Sequence, residues 1–242
     1  MTGSLALVGS GEYLPAMAEL EKELIEKGID SGKSSLFLQI PTAAGQESTS
    51  RLQYWQDLGR AQAERIGVQS RFLPIFDRQA AFNPEFVETI KSAALVYISG
   101  GDPHYLADSL VGTPVGDAII ENWRSGGSLA GCSAGAMVLS NRVPHFRFSR
   151  SEARAGFSII PKIRVIPHFD KFFKWIPETS AKMLMKSDEG EILVGIDEMT
   201  ALVRNSGEQD WQVFGSSKVH ILQGAPPRQL AHGERIELDF SI

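Results

Sequence analysis

A chain of 242 residues with 43% apolar and 22% charged side chains has the composition of an ordinary globular protein, which excludes collagen, coiled coil, mucin and disordered tail. Its 24 basic and 29 acidic residues leave a net charge of −5, with no basic face for nucleic acid and no polybasic anchor for anionic lipid. The lone Cys132 excludes an internal disulfide framework and a multi-thiolate zinc site. No apolar stretch approaches the roughly 18 residues that span a bilayer. The first apolar run, Leu5 to Val8, is too short for a signal peptide. A cytoplasmic, reducing setting is expected.

In chain order, Leu5–Val8 reads as a buried strand ended by Gly9-Ser10-Gly11, and Pro15 then opens a helix from Ala16 to Lys27, closed by Gly28. Leu36–Ile40 is a second strand, followed by a helix from Ser48 to Ile66 that stops at Gly67. Val68–Pro74 is a third strand, and Asn83 caps a helix that ends near Ser92. Ala94–Ser99 is a fourth strand running into Gly100-Gly101, Val115–Arg124 is helical, and Ser128–Ala130 is a fifth strand. This alternation predicts an α/β fold: a mostly parallel, doubly wound sheet with helices on both faces. Beyond Val194 short strands take over (Ala201–Val203, Trp211–Phe214, Val219–Leu222 and Arg235–Phe240), predicted antiparallel at the sheet edge. With no linker or repeat, residues 1–242 read as one domain with a β-rich extension from about residue 205 to 242.

Gly131-Cys132-Ser133-Ala134-Gly135 fits G-x-S-x-G, with strand-like residues before it and helix-like Ala136–Leu139 after it. That is the setting of a nucleophile elbow: a strand turning directly into a helix strains its central residue, so the neighbours two away must carry almost no side chain. The turn would expose the Ser133 hydroxyl at the carboxyl end of the sheet. The bland reading is a tight helix start with a capping serine. Cys132, one position off centre, is expected to be a buried core thiol.

A serine nucleophile needs a base, and the chain has five histidines. His104 lies in a loop, His145 in an irregular stretch, His220 in a short strand and His232 in a late turn. His168 follows the strand Ile163–Ile166, which puts it on the same sheet edge as Ser133. Asp197 and Glu198, after the strand Ile192–Ile196, are both candidates for the carboxylate that holds the imidazole. Gly100-Gly101-Asp102-Pro103 closes the fourth strand, and the Gly101 N–H pairs naturally with that of Ala134 as an oxyanion hole, unless it is a plain turn ahead of a helix. Gly9-Ser10-Gly11 is a weak dinucleotide signal, because Leu14 stands where a third glycine would be. No cofactor is expected, and no histidine or carboxylate spacing suggests a metal. Two rivals stand beside this reading. An α/β-hydrolase-type esterase would use Ser133, Asp197 and His232 in that chain order, and a non-catalytic binding module would keep the fold alone.

Taken together, LALVGSGEY, LQIPTAA, YISGGDPHYL, GCSAGA, VIPHFDKF and GIDEMTALV resemble, in that order, the dipeptidase E and cyanophycinase family of serine peptidases. The resemblance implies a fold similar to that of class I glutamine amidotransferases. It also implies Ser133 as nucleophile, His168 as base, Glu198 as acid, and Gly101 and Ala134 as the oxyanion hole. Family members hydrolyse bonds after aspartate, in aspartyl dipeptides or in the β-linked aspartyl-arginine units of cyanophycin. The implied partner is thus a small peptide, with a homodimer compatible with the sequence. The chain departs from the family at Asp102, where many relatives carry Asn, and at Lys171 and Lys174, where cyanophycinases carry arginines. An aspartyl carboxylate beside Ser133 calls for arginine, and Arg142, Arg147, Arg150, Arg154 and Arg164 lie between nucleophile and base. Arg147 and Arg150 are the expected substrate contacts, and Asp102 is placed to receive a substrate cation.

Overall fold

In the computed structural model, which describes residues 1–144, 153–175, 185 and 188–239, the apolar runs pair into two principal sheets. The strands of the first half are β1 (Leu5–Val8), β2 (Ser34–Ile40), β3 (Gln69–Phe72), β4 (Ala93–Ile98) and β5 (Ser128–Cys132). They are followed by β6 (Arg142–Val143), β7 (Arg154–Ala155), β8 (Ile163–Ile166), β9 (Ile192–Ile196) and β10 (Thr200–Arg204). The last are β11 (Asp210–Gly215), β12 (Val219–Gln223), β13 (Arg228–Leu230) and β14 (Arg235–Glu237). The main sheet has the order β14-β11-β10-β1-β5-β4-β2-β3. Strands β1 to β5 run parallel within it, and β10, β11 and β14 continue it antiparallel.

The helices are α1 (Ala18–Asp30), α2 (Thr49–Ile66), α3 (Pro84–Ser92), α4 (Pro103–Leu110), α5 (Pro114–Arg124), α6 (Ala134–Val138) and α7 (Phe169–Trp175). Their boundaries follow local chemistry. The Ser48 hydroxyl accepts from Arg51 N–H at the start of α2, and Gly67 ends that helix in the left-handed conformation at φ 82°. Asn83 accepts from Glu85 N–H with Pro84 in the first turn of α3.

Alternation along the parallel strands divides the core between the two faces. Leu5, Leu7, Leu38, Ile40, Val96, Ile98 and Leu129 pack with buried residues of α3 to α6. Ala6, Val8, Phe37, Leu95, Tyr97, Ala130 and Cys132 pack with α1 and α2. Helices therefore cover both faces, as the pattern predicts, and Cys132 is a buried free thiol.

The structure departs from the sequence reading beyond Ile160. Strands β8 and β9 do not extend the main sheet. They form a second sheet of order β13-β12-β9-β8, in which β8 and β9 are parallel. The late strands divide likewise, β10, β11 and β14 joining the main sheet and β12 and β13 the second. Ile163, Val165, Val194, Ile196, Val219 and Ile221 join the core cluster that holds Leu5 and Leu7. An apolar run buries equally well in either sheet, so its pattern does not say which sheet it joins. Among the described residues, no helix is long and apolar enough to cross a membrane.

One buried carboxyl makes stability depend on pH. Glu21, on α1, is 1% exposed and accepts from Tyr13 N–H at 3.2 Å and from Gln62 Nε2 at 2.6 Å. Burial pushes its carboxyl up to about 8 against the opposing pull of those donors. Between the ordinary carboxyl value of about 4.3 and that raised value, the folded state holds a proton that the unfolded chain has released. Stability from this group is therefore full in acid and falls as pH rises through the window. Urea unfolding from about pH 5 to about pH 8 should show this decline in the wild type and a flatter dependence in Glu21→Gln. Equal slopes would contradict the assignment.

Candidate active site

The site begins where β5 turns into α6. Ser133 sits between them at φ 50° and ψ −109°, a conformation that few residues with a Cβ adopt. Two glycines make the turn passable. A Cβ on Gly131 would stand 2.4 Å from the Gly135 carbonyl oxygen, and one on Gly135 would stand 2.2 Å from the Ile98 carbonyl oxygen. The backbone is held on both sides, by Ser133 N–H donating to Val8 O at 2.9 Å and by Met137 N–H donating to Ser133 O at 3.1 Å. The Ser133 side chain makes no helix cap. It lies instead 3.0 Å from His168 Nε2.

His168 stands between β8 and α7, also at positive φ (50°). Its Nδ1 is 3.0 Å from Glu198 Oε1. A proton on Nδ1 donated to the carboxylate leaves Nε2 as the acceptor facing the serine hydroxyl, the tautomer a general base requires. Glu198 lies in the turn between β9 and β10. Its N–H donates to Asp170 Oδ1 at 3.0 Å, and Lys171 Nζ donates to its Oε2. Burial acts to raise the Glu198 carboxyl, but donation from Lys171 and His168 prevails and holds it below the ordinary carboxylate range.

The glycine-rich loop after β4 faces the elbow. Gly101 adopts φ 141°, and a Cβ there would stand 2.3 Å from the Ala43 carbonyl oxygen. Among the described residues, neither the Gly101 nor the Ala134 N–H donates to a protein acceptor, so both are available to a substrate oxygen. Gly9 has a different use from the one its motif suggests. A Cβ there would stand 2.1 Å from the Asp197 carbonyl oxygen, and Gly9 N–H donates to Thr200 O at 2.9 Å. The glycine lets the acid-bearing turn lie against the end of β1.

The rival set is not assembled. Asp197 is engaged by His220 Nε2 at 2.9 Å, Ser217 Oγ at 2.7 Å and Lys218 N–H at 3.2 Å. His232 Nδ1 accepts from Gly215 N–H at 3.2 Å, with its ring edge-on to Phe214. A strand end carrying Asp197 and Glu198 side by side sends their side chains to different partners, and only Glu198 meets the site histidine.

Asp102 caps α4, its Oδ1 accepting from His104 N–H at 2.8 Å and Tyr105 N–H at 3.0 Å. Arg142 pairs with Asp188 at 2.7 Å and Glu191 at 3.3 Å, Arg164 with Glu191 at 3.6 Å, and Arg154 with Asp108 at 2.7 Å. Arg147 and Arg150 lie outside the described residues, as does His145. Among the described residues, no cluster of histidine, cysteine and carboxylate side chains is arranged to hold a metal. Sequence reasoning missed Glu12, which contacts both arms of the site, and the part played by Lys171. A carboxylate just beyond a central strand was the available signal for Glu12.

The profile of peptidase family S51 matches residues 5–211. The chain is 25% identical over 211 residues to a cyanophycinase of Geminocystis herdmanii, spanning 84% of this chain and 75% of that one. It is 27% identical over 218 residues to a cyanophycinase of a Nostoc species, spanning 84% and 67%. Its structure is similar to that of a peptidase from an acI-B1 Actinobacterium, with a TM-score of 0.96 and 63% identity over 98% of both chains. A putative peptidase E protein from Listeria monocytogenes shares the fold at TM-score 0.64 and 18% identity, over 90% of this chain and 100% of that one.

The depressed Glu198 carboxyl contributes stability that is present above its unfolded value of about 4.3 and lost as pH falls through its lower folded value. Lys171→Met removes one of the donors that lower it. The variant should be less stable than wild type near about pH 7, with the difference vanishing in acid below the folded value, as read by denaturant unfolding at both pH values. A difference that persists unchanged in acid would contradict the coupling.

Proposed function

The chain belongs to peptidase family S51, and on that footing we propose how its site hydrolyses a peptide bond. It is a serine-type peptidase. The observation that carries the proposal is the unbroken line from Ser133 Oγ through His168 Nε2 and Nδ1 to Glu198 Oε1, with 3.0 Å at each contact. Ser133 Oγ attacks the scissile carbonyl carbon while His168 Nε2 takes the hydroxyl proton. Glu198 holds the Nδ1 proton and stabilises the imidazolium. The carbonyl oxygen, now anionic, accepts from the N–H groups of Gly101 and Ala134. Collapse of the tetrahedral intermediate breaks the C–N bond, and His168 returns its proton to the leaving amine. A water then attacks the acyl carbon while His168 Nε2 takes its proton, the bond from that carbon to Ser133 Oγ breaks, and His168 returns the proton to Oγ as the carboxylic acid leaves.

The substrate we propose is a small peptide in a reducing cytoplasm, with an aspartyl residue on the acyl side of an α- or β-linked bond. Family resemblance and the cyanophycinase relatives favour this choice. We assign the aspartyl carboxylate to Arg147 or Arg150, on the arginine-bearing segment between nucleophile and base. Asp102 keeps an oxygen beyond its capping bonds for a substrate ammonium or guanidinium.

Ser133→Ala should lower kcat by at least about 10³-fold, and His168→Ala should cost about as much, because the two act as a unit. Substantial turnover in Ser133→Ala would overturn the mechanism. A panel of Asp-X, Glu-X, Ala-X and β-Asp-Arg dipeptides tests the substrate. Faster cleavage of the aspartyl members supports the proposal, and equal rates for Ala-X and Asp-X would refute the acidic preference.

A further inference from the structure

The reaction as written leaves out Glu12, the carboxylate just beyond β1, which is 8% exposed. Its Oε1 accepts from the Gly100 N–H at 3.0 Å, and its Oε2 accepts from the Cys132 thiol at 3.0 Å. Gly100 immediately precedes the glycine of the oxyanion hole, and Cys132 immediately precedes the nucleophile. One side chain therefore ties the loop after β4 to the end of β5, and the separation of these two decides whether an oxyanion can be held while Ser133 attacks.

Crowding at this point supports the assignment. A Cβ built on Gly100 would stand 2.8 Å from Glu12 Oε1 and 3.2 Å from the Ser133 Cβ, so loop, carboxylate and nucleophile are packed against one another. Beyond Gly101 the loop is held by Asp102, whose N–H donates to Ala43 O at 2.8 Å and whose Oδ1 accepts from the first turn of α4. On the near side Ser99 is held by Tyr13 Oη at 2.6 Å and by Ile40 O at 3.0 Å, and Glu12 adds the fastening at Gly100 that reaches across to the nucleophile strand. Both of its partners are donors, and each carboxyl oxygen accepts from one of them. Cys132 suits the arrangement, because burial and the neighbouring carboxylate push its thiol up and keep the donor proton in place.

We propose that Glu12 is a positioning residue, which sets the Gly101 N–H against Ser133 by bridging Gly100 and Cys132. The proposal rests on the roles of Ser133 and Gly101 given above. Oxyanion contacts are realised as charge develops in the transition state, so a displaced donor lowers kcat and leaves substrate binding largely intact. A displacement of about 1 Å at such a site is enough for a loss approaching 10²-fold.

Glu12→Asp keeps the carboxyl group but withdraws it by about one C–C bond, ~1.5 Å. Glu12→Gln keeps the reach and an acceptor for Gly100 N–H, and sets its amide against the thiol sulfur, a weak acceptor. The measurements are kcat, KM, the rate of inactivation by a fluorophosphonate, whose phosphoryl oxygen occupies the oxyanion hole, and the unfolding midpoint. For Glu12→Asp, kcat and the inactivation rate should fall together by about tenfold or more, with KM within about twofold, and Glu12→Gln should recover most of that loss. A folded Glu12→Asp with both rates unchanged overturns the proposal, as does a raised KM at unchanged kcat, which would make Glu12 a substrate contact. Should Glu12→Asp fail to fold, Cys132→Ala carries the test, because it removes the donor that fixes Oε2. A several-fold fall in kcat at constant KM supports the bridge, and no change overturns it. Ser133→Ala separates the two levels of the argument. Labelling that persists in that variant removes the serine reading and the bridge with it, whereas labelling lost there and undiminished in Glu12→Asp refutes the bridge alone.

Discussion

Ser133 is held at a positive φ of 50°, and the rest of the site is arranged around that strained residue. Such a conformation in a residue with a Cβ costs on the order of 1–3 kcal/mol and persists only where its surroundings over-determine it. Here a bond from its N–H to β1, a helical bond to its carbonyl and a glycine on either side hold it. The strain turns the hydroxyl away from the sheet towards His168. The same device recurs, since His168 beyond β8 and Met199 beside Glu198 also have positive φ, at 50° and 52°. Each member of the site thus lies at or beside a sharp reversal just past the carboxyl end of a strand.

Those strands belong to different sheets. Ser133 comes from the main sheet, whereas His168 and Glu198 follow β8 and β9, parallel neighbours in the second. The pairing of β8 with β9 sets histidine and acid side by side. The shared core, in which Leu5 and Leu7 cluster with Ile163, Val165, Val194 and Ile196, sets both at the right distance from the serine. Close approach at Gly9 adds a backbone contact between the end of β1 and the acid turn. Packing between sheets therefore carries the spacing of Ser133, His168 and Glu198, and the sites of strain are only its exposed ends.

This division explains what was legible in the chain and what was not. The elbow could be read because its constraint is local: two glycines flanking a serine between an apolar strand and a small-residue helix. The parallel half of the main sheet was legible for the same reason, through capped helices and alternating strands. The second sheet was not, because a run such as Ile163–Ile166 buries equally well in either sheet and nothing local selects its neighbour. The residues alone left Asp197 and Glu198 as alternatives and the family resemblance implied Glu198; the fold shows the adjacent side chains diverging, Asp197 to His220 and Glu198 to His168. Glu12 stayed hidden because its partners, Gly100 and Cys132, lie far along the chain and one of them is a backbone N–H.

The central claim is that Ser133 carries the acyl group, and its most direct test is to trap that group. The protein would be mixed with an activated aspartyl ester, quenched in acid, digested and mapped by mass spectrometry. The account predicts an acyl adduct on Ser133, none on the buried Cys132 next to it, and no adduct in Ser133→Ala. An adduct on another residue, or turnover of the ester by folded protein without any adduct on Ser133, would contradict it.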